Sequence, residues 1–292
     1  MTAHAEQEPG IERMNEIHKN GVFLEKDAEG FLLSDSNINK IRQPWTDALE
    51  FARQVEVARL GERLHSLYLR GSVPRGTALE CRSDLDLFAV LHNEYSAADA
   101  PAPWPKEKLA EFYVQFPFVT SLETSHITLA AVYGHFHYYR FMMNISSVCV
   151  WGKDLLPEIP RYKADAPIAE EWFRVFPHLV DKFVEDLRNS DGEKRSKHLC
   201  HDIMKTFLRT GMLLVMRRHN GYTRDLYPSY LCFSKYYPDQ QPTMWRCLEF
   251  AVNPIADAHI LRPLVTGFGQ WMREAGAMEF GNAELLPASL IS

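Results

Sequence analysis

The stretch 67–91, LYLRGSVPRGTALECRSDLDLFAVL, joins two apolar runs through a polar connection. The first run ends at Gly71 and Ser72, and the second carries Asp84 and Asp86 with one residue between them. Side chains alternate between the two faces of a strand, so the two acids are predicted to share one face. Two carboxylates on one face can hold metal ions together. The stretch therefore predicts a strand, a turn of small residues and a second strand that carries an acidic pair.

Gly71 and Ser72 follow a predicted strand at about 66–70, where the chain has to turn. Small residues let backbone N–H groups approach an anion closely, and the serine hydroxyl adds a donor. An anion cradle beside a carboxylate metal clamp suits nucleotidyl transfer, because the charge of a triphosphate has to be neutralised and its leaving group stabilised. The alternative interpretation is a tight turn followed by two exposed strand acids.

Composition places the chain among ordinary globular proteins. Its 292 residues can bury a sizeable core and favour two domains, and 46% of them are hydrophobic and 24% charged. The net charge of −6 argues against duplex nucleic acid as a partner, because phosphate neutralisation needs clustered Lys and Arg. The same charge leaves room for a cationic small substrate.

Neither a membrane-spanning run nor a secretory signal is expected. No apolar run has the required length, and residues 1–10 are too polar, so a cytoplasmic location is expected. The cysteines are odd in number and lack CxxC spacing, which favours buried, reduced thiols over a disulfide or zinc framework. These cysteines are Cys81, Cys149, Cys200, Cys232 and Cys247.

The pattern of apolar residues predicts a small sheet with flanking helices in the first half of the chain and a helical second half. The predicted elements of the first half are a loosely ordered segment at 1–42, a helix at 44–64, a strand at 66–70, the strand that carries Asp84 and Asp86, a helix at 106–115, a strand at 118–132, a short strand at 149–155 and a proline-rich linker at 157–167. The predicted helices of the second half lie near 168–189, 195–219, 226–236, 242–252 and 259–275.

Glu123 lies in the predicted third strand between Leu122 and Thr124, where a simple strand has no need of a carboxylate. It is the candidate third acid, which would complete a metal site or act as general base for an acceptor hydroxyl. The alternative is a surface acid on an edge strand, in which case the site rests on two acids alone.

Basic residues near the turn and in the second half could contact phosphates. Arg70 and Arg75 flank the Gly-Ser turn, and either is a candidate phosphate contact or a simple surface charge. The 195–219 helix has a polar side opposite its apolar face. Four residues fall within about 60° on this polar side, namely His198, Asp202, Lys205 and Arg209. We expect this domain to close over a triphosphate, with Lys205 supplying a point charge and Arg209 the forked N–H donors of its guanidinium. The alternative is that both are simply solvated surface charges.

The pattern RGSVPRG…SDLDLFAVL resembles that of the DNA polymerase β-like nucleotidyltransferase superfamily, and it is most similar to the minimal and antibiotic-modifying members. In such proteins a small catalytic domain precedes a helical domain. The resemblance implies that Asp84 and Asp86, with Glu123 as third acid, hold two Mg²⁺ ions. It further implies that Gly71 and Ser72 bind the triphosphate of ATP or another nucleoside triphosphate. The specific part covers residues 67–91.

Together these features predict an α/β (α+β) protein with a polar segment at 1–42, a mixed-sheet nucleotidyltransferase domain at 43–157 and a helical bundle at 158–292, with the active site between the two domains. The expected reaction is transfer of a nucleoside monophosphate, AMP from ATP, to a hydroxyl with release of pyrophosphate. An aminoglycoside-like small molecule is the favoured acceptor. A protein or RNA acceptor, as in toxin and antitoxin-type enzymes, and a catalytically silent nucleotide-binding module are the alternatives. The acceptor, the base of the nucleotide and the oligomeric state stay open.

Overall fold

The computed structural model describes residues 16–92, 101–134, 136–165, 167–281 and 284–287. The chain forms two compact units. The sheet unit contains the described residues of Leu24–Trp172 together with Asn220–Tyr222. The helical unit contains Phe173–His219 and the described residues of Met1–Phe23 and Thr223–Ile291. The domain limits expected from the sequence, at 42/43 and 157/158, stay predictions.

A four-stranded mixed sheet is the centre of the sheet unit. Its strands are β1 (Leu64–Arg70), β2 (Leu85–Leu91), β3 (Leu122–Thr128) and β4 (Ser147–Gly152). The strand order is β3-β2-β1-β4, with β2 and β3 parallel and the other two pairs antiparallel. The predicted class, a small mixed sheet followed by helices, is confirmed.

Both faces of β2 are covered, which explains why its apolar run is nearly continuous. Leu87 and its alternate neighbours pack with Ala52 of α1 (Trp45–Leu60) and Phe112 of α2 (Lys106–Gln115). Phe88 points to the opposite face and packs with Met143. This second face is covered by α3 (Leu129–Tyr133) and α4 (Tyr138–Ser146). Asp86, two residues before Phe88, shares this second face.

The third strand is shorter than the predicted 118–132. It ends at Thr128, whose side-chain oxygen accepts a hydrogen bond from the backbone N–H of Ala131 and so caps α3. The apolar stretch that follows Thr128 is too short to distinguish the period of a strand from that of a helix. The prediction, which relied on alternation alone, therefore extended the strand too far.

Two segments that were expected to be loosely ordered or to act as a linker are packed in the sheet unit. Within the described part of 1–42, Leu24, Leu32 and Ile41 are buried. The backbone N–H of Leu32 donates to the carbonyl of Tyr162, at 2.8 Å, and Tyr162 is itself buried. The stretch 157–165 is therefore part of the packed structure and is not a solvated linker, which corrects the expectation from its proline content.

The helices of the second half follow the predicted positions closely. They are α5 (Ile168–Asn189), α6 (Glu193–His219), α7 (Leu226–Tyr236), α8 (Gln241–Val252) and α9 (Ala258–Phe280). The predicted apolar face of α6 is buried against α7, α8 and α9, although Leu199 is only half-buried. A Cβ on Gly211 of α6 would lie 3.0 Å from Cδ2 of Phe233, so a glycine permits the close approach of α7. Among the described residues, no helix combines the length and the apolar character needed to cross a membrane.

Candidate active site

Arg70, Asp86 and Glu123 form a row across three neighbouring strands. Asp86 on β2 is the register partner of Arg70 on β1 and of Glu123 on β3. Register partners in adjacent strands project their side chains to the same face of a sheet. One cationic and two acidic side chains are therefore neighbours on the face that carries Phe88.

The turn after β1 touches this row directly. Gly71 has a φ of +88°, and a Cβ at this position would lie 2.6 Å from Oδ2 of Asp86. A glycine is needed here for two reasons, because other residues rarely adopt this φ and because a side chain would displace the carboxylate. The structure thus brings together the turn and the second acid that the sequence analysis had linked only by spacing.

Ser72 contributes a buried hydroxyl beside this contact. Its Oγ is buried and has no hydrogen-bond partner among the described residues, while its carbonyl accepts a hydrogen bond from the N–H of Thr77 at 3.1 Å. Leaving a buried hydroxyl unpaired costs about 1–3 kcal/mol, so such a group in a folded protein calls for an explanation. A bound anion that accepts from Ser72 Oγ would supply the missing partner.

Asp84 directly precedes β2 and is half-buried. The strand begins at Leu85, whose N–H donates to the carbonyl of Ser121 at 2.9 Å. Both acids therefore lie at the N-terminal end of β2, close to the partner strand β3. That Asp84 and Asp86 direct their side chains to one face stays a prediction.

Glu123 is exposed on β3, which is an edge strand of the sheet. The described residues contain no group of three or more His, Cys, Asp and Glu side chains that could hold a metal ion. Glu123 is the register partner of Asp86, so the two acids lie side by side on neighbouring strands. The role of Glu123 as a metal ligand stays a prediction.

Two acids are nevertheless a suitable donor set for Mg²⁺. This cation prefers oxygen ligands, and proteins commonly hold it by one or two carboxylates together with the phosphates of a substrate. Asp84 and Asp86 supply the carboxylates, and the unpaired hydroxyl of Ser72 beside Gly71 suits a phosphate oxygen. The residues present therefore fit Mg²⁺ bound together with a triphosphate.

Arg75, a predicted phosphate contact, is ion-paired in this structure. Its Nε donates to Oδ2 of Asp35 at 2.6 Å, across 40 residues of sequence. In the same region the N–H of Asn37 donates to the carbonyl of Pro74 at 2.8 Å. Sequence analysis missed the role of Asp35, because no local pattern connects two residues so far apart in the chain. The proposed contact of Arg75 with phosphate stays a prediction.

Arg70 is the cation that lies in register with Asp86. Its guanidinium carbon is 5.8 Å from the ring centroid of Phe88, and Arg70 forms no ion pair with any residue in the described ranges. That Arg70 contacts a phosphate stays a prediction, as it does for Arg75.

Comparisons with known proteins add little. No protein-family model and no curated protein matches this sequence. Among solved structures, the chain is similar to the spectinomycin adenyltransferase AAD(9) of Enterococcus faecialis, crystallised with ATP and spectinomycin. The TM-score is 0.45 and the identity 12%, over 79% of this chain and 98% of that chain. A likeness this distant establishes neither a family nor an activity for this chain.

Lys205 and Arg209 lie on α6 in the helical unit, and both are half-buried. Nε of Arg209 is buried and has no hydrogen-bond partner in the described part of the chain. On the same helix, Nε2 of His198 lies 3.2 Å from Oδ2 of Asp202, so part of the predicted polar stripe forms an ion pair when the imidazole is protonated. Binding of a triphosphate by Lys205 and Arg209 stays a prediction.

His201 adds a titratable group next to the stripe. Its Nδ1 donates to the carbonyl of Ala251 at 2.6 Å, which fixes this nitrogen as protonated. Burial lowers the pKa of His201, and the positive charge of Lys205 lowers it further. These effects favour the neutral imidazole, and its Nδ1 is bound to the backbone of α8.

Proposed function

We propose that this protein is a nucleotidyltransferase that moves a nucleoside monophosphate, AMP from ATP, to a hydroxyl group and releases pyrophosphate. The observation that carries the proposal is the close approach of Gly71 to Asp86, with the unpaired hydroxyl of Ser72 beside it. The turn can admit an anion, and the carboxylate beside it can hold a cation. This combination suits a triphosphate bound with Mg²⁺.

In the proposed reaction, Ser72 Oγ donates to a phosphate oxygen, and Gly71 leaves the room for the phosphates to reach Asp86. Asp84 and Asp86 would hold Mg²⁺, and Glu123 would complete the metal site or act as the general base. Bound Mg²⁺ would neutralise the phosphate charge and stabilise the leaving pyrophosphate. Arg70 adds a positive charge next to Asp86, and we propose the same role for Arg75, Lys205 and Arg209 toward the triphosphate.

The acceptor oxygen attacks the α-phosphorus, and the bond between this phosphorus and the oxygen that bridges to the β-phosphate breaks. The hydroxyl proton passes to a carboxylate, for which we propose Glu123, because it is the register partner of Asp86 and is open to solvent. Pyrophosphate leaves with the electron pair of the broken bond. The remaining contribution of the protein is positioning and electrostatic stabilisation.

We propose a hydroxyl-rich, cationic small molecule as the acceptor, such as an aminoglycoside-like antibiotic. The net charge of −6 favours a cation over a polyanion, because like charges repel at long range. A protein or RNA acceptor would give label on a macromolecule in the experiment that follows. A nucleotide-binding module without catalysis would bind ATP and transfer nothing.

The proposal is tested by incubating the protein with α-labelled ATP, GTP, CTP or UTP and Mg²⁺, with hydroxyl-rich antibiotics or cell lysate as acceptor. We expect label from ATP on a small acceptor. Asp86→Asn should reduce this transfer by at least about a hundredfold, because it removes a charge that acts at the reacting phosphates. Asp165→Asn changes an exposed acid of the same unit and should leave transfer within about twofold. Equal transfer by both variants, or a chain that fails to bind ATP, would overturn the proposal.

A further inference from the structure

The helical unit contains a pocket of about 380 Å³ between residues 19–23 and the first three turns of α7. This volume falls within the range of roughly 300–1,000 Å³ that is usual for small-molecule sites. Its walls are mainly apolar or aromatic, with lysines among them, and none of the lining residues that the structure describes is acidic. The lining includes Lys19, Phe23, His219, Tyr227, Leu231 and Lys235.

The wall made by residues 19–23 is fixed to the start of α7. The N–H of Val22 donates to Oδ2 of Asp225 at 2.9 Å, and Oγ1 of Thr223 donates to the carbonyl of Val22 at 2.6 Å. Gly21 has a φ of +118°, and a Cβ there would lie 2.6 Å from Cβ of Asp225. The pocket is therefore preformed, and the nearby carboxylate of Asp225 is engaged with the backbone of this wall.

Apolar and aromatic groups in the pocket are left open to water. Leu231 is 49% exposed although it lies in a concave site, and Phe23 is half-buried. The ring of Phe23 lies 4.8 Å from that of His219, between centroids, at an interplanar angle of 46°. A planar apolar ligand would cover these side chains, which favours binding through the hydrophobic effect and aromatic contacts.

The acidic and basic side chains that line the described part of the pocket are two lysines. Lys19 and Lys235 are exposed, and neither forms an ion pair with a residue that the structure describes. Nζ of Lys235 lies 5.7 Å from the ring centroid of Tyr236, a contact that leaves its charge uncompensated. A concave surface lined by charges of one sign concentrates ions of the opposite sign. An anionic group on the ligand would meet this potential.

We infer that this pocket binds a small planar anion, namely an aromatic carboxylate. The ring of the ligand packs on Phe23, Tyr227 and Leu231, and its carboxylate is directed to Lys19 and Lys235. The lining residues that the structure describes all belong to the helical unit, and the inference needs none of the residues assigned above to nucleotidyl transfer.

The inference is tested with 2-naphthoate as the probe and 2-naphthamide as its neutral counterpart, with binding to the full chain measured by ligand-observed NMR and calorimetry. We expect 2-naphthoate to bind at least threefold more tightly than the amide at low salt, and the difference to shrink as the salt concentration rises. Absence of binding by 2-naphthoate, or equal affinity for acid and amide, would overturn the inference.

Variants locate the site. Lys235→Gln should lower the affinity for 2-naphthoate at least threefold and leave that for the amide unchanged. Lys194→Gln replaces an exposed lysine of α6 in the same unit and should change neither affinity. Leu231→Glu should abolish binding of 2-naphthoate, whereas Met278→Glu, at a residue that is 79% exposed on α9, should not. Thermal unfolding of each variant confirms that it is folded, and undiminished binding by both pocket variants would contradict the assignment.

Discussion

Gly71 and Asp86 approach so closely that position 71 has no room for a side chain. The carboxylate oxygen Oδ2 would lie 2.6 Å from a Cβ on residue 71, and the nearest backbone atoms are farther away. The shape of the turn after β1 and the position of the acid on β2 are therefore coupled. Changing residue 71 is a way to move the carboxylate without altering its charge.

Gly71→Ala should affect activity more than stability. The atom that the new methyl group meets is the end of a flexible side chain, so the carboxylate of Asp86 should rotate away while the fold persists. Gly30→Ala is the matched control, because Gly30 has a φ of +84° in the same unit with nothing within 4 Å of a Cβ. We expect both variants to lose about 1–2 kcal/mol of unfolding free energy in urea, from backbone strain. Nucleotidyl transfer should fall at least tenfold only in Gly71→Ala; equal transfer by the two would show that the contact is unimportant.

Glu123→Gln tests the exposed acid of the row. If the carboxylate takes the acceptor proton or holds a metal ion, the substitution should lower kcat at least tenfold. This loss is smaller than the rate gain that a general base usually supplies. The unfolding free energy should change by less than about 0.5 kcal/mol, because Glu123 is exposed. Glu107→Gln, at an exposed residue of α2, serves as control. Unchanged kcat in Glu123→Gln would restrict the site to Asp84 and Asp86.

Asp35→Asn should destabilise the sheet unit. The side chains of Asp35 and Arg75 are 24% and 15% exposed, so their ion pair is partly shielded from water. We expect a loss of about 1–2 kcal/mol in unfolding free energy, more than is usual for an exposed pair. Asp186→Asn removes the partner of Lys182 in a pair that is well exposed, and it should cost no more than about 0.5 kcal/mol. Urea unfolding that gives the same small loss for both would contradict a structural role for Asp35.

His201 should make stability depend on pH. Burial and the charge of Lys205 lower its pKa in the folded state, whereas the unfolded chain binds the proton with the ordinary pKa of about 6.5. Between these two values the unfolded state holds more protons, so the unfolding free energy rises with pH there. The contribution is present above about pH 6.5 and is lost as the pH falls below it. His65 and His126, whose pKa values are also lowered by burial, act in the same direction.

The measurement is the unfolding free energy between pH 7 and 5 for His201→Asn, which keeps a donor for the carbonyl of Ala251 but cannot ionise. Its decline toward acid pH should be shallower than that of the unmodified chain. A decline that is equally steep in His201→Asn and in the unmodified chain would show that His201 does not titrate differently in the two states.

Elements whose signals are local were predicted well. The helix at 106–115 was predicted with the bounds that α2 has, and the helices of the second half lie within a few residues of their predicted positions, except for the longer C-terminal end of α9. A helical period, a proline or a glycine at a boundary acts within a few residues, so the sequence reveals it directly. The apolar face predicted for α6 is also largely buried.

Segments whose order depends on distant partners were predicted poorly. The stretch 24–42 lacks a periodic pattern, yet Leu32 is 2% exposed because it packs where its backbone pairs with Tyr162. The proline-rich stretch 157–165 is ordered by the same contacts. Burial of such residues comes from neighbours more than a hundred positions away, which no local window contains.

The sequence by itself determined the α/β class, the turn at Gly71 and Ser72, and the acidic pair at Asp84 and Asp86, because each depends on residue type, spacing and a short-range period. Only the tertiary structure decided what stands beside them. The order β3-β2-β1-β4 sets Asp86 between Arg70 and Glu123, and the packing of the N-terminal segment pairs Arg75 with Asp35. The physical reason is that strand register and ion pairs across the chain are fixed by hydrogen bonds and burial between distant residues, which the period of a single segment does not encode.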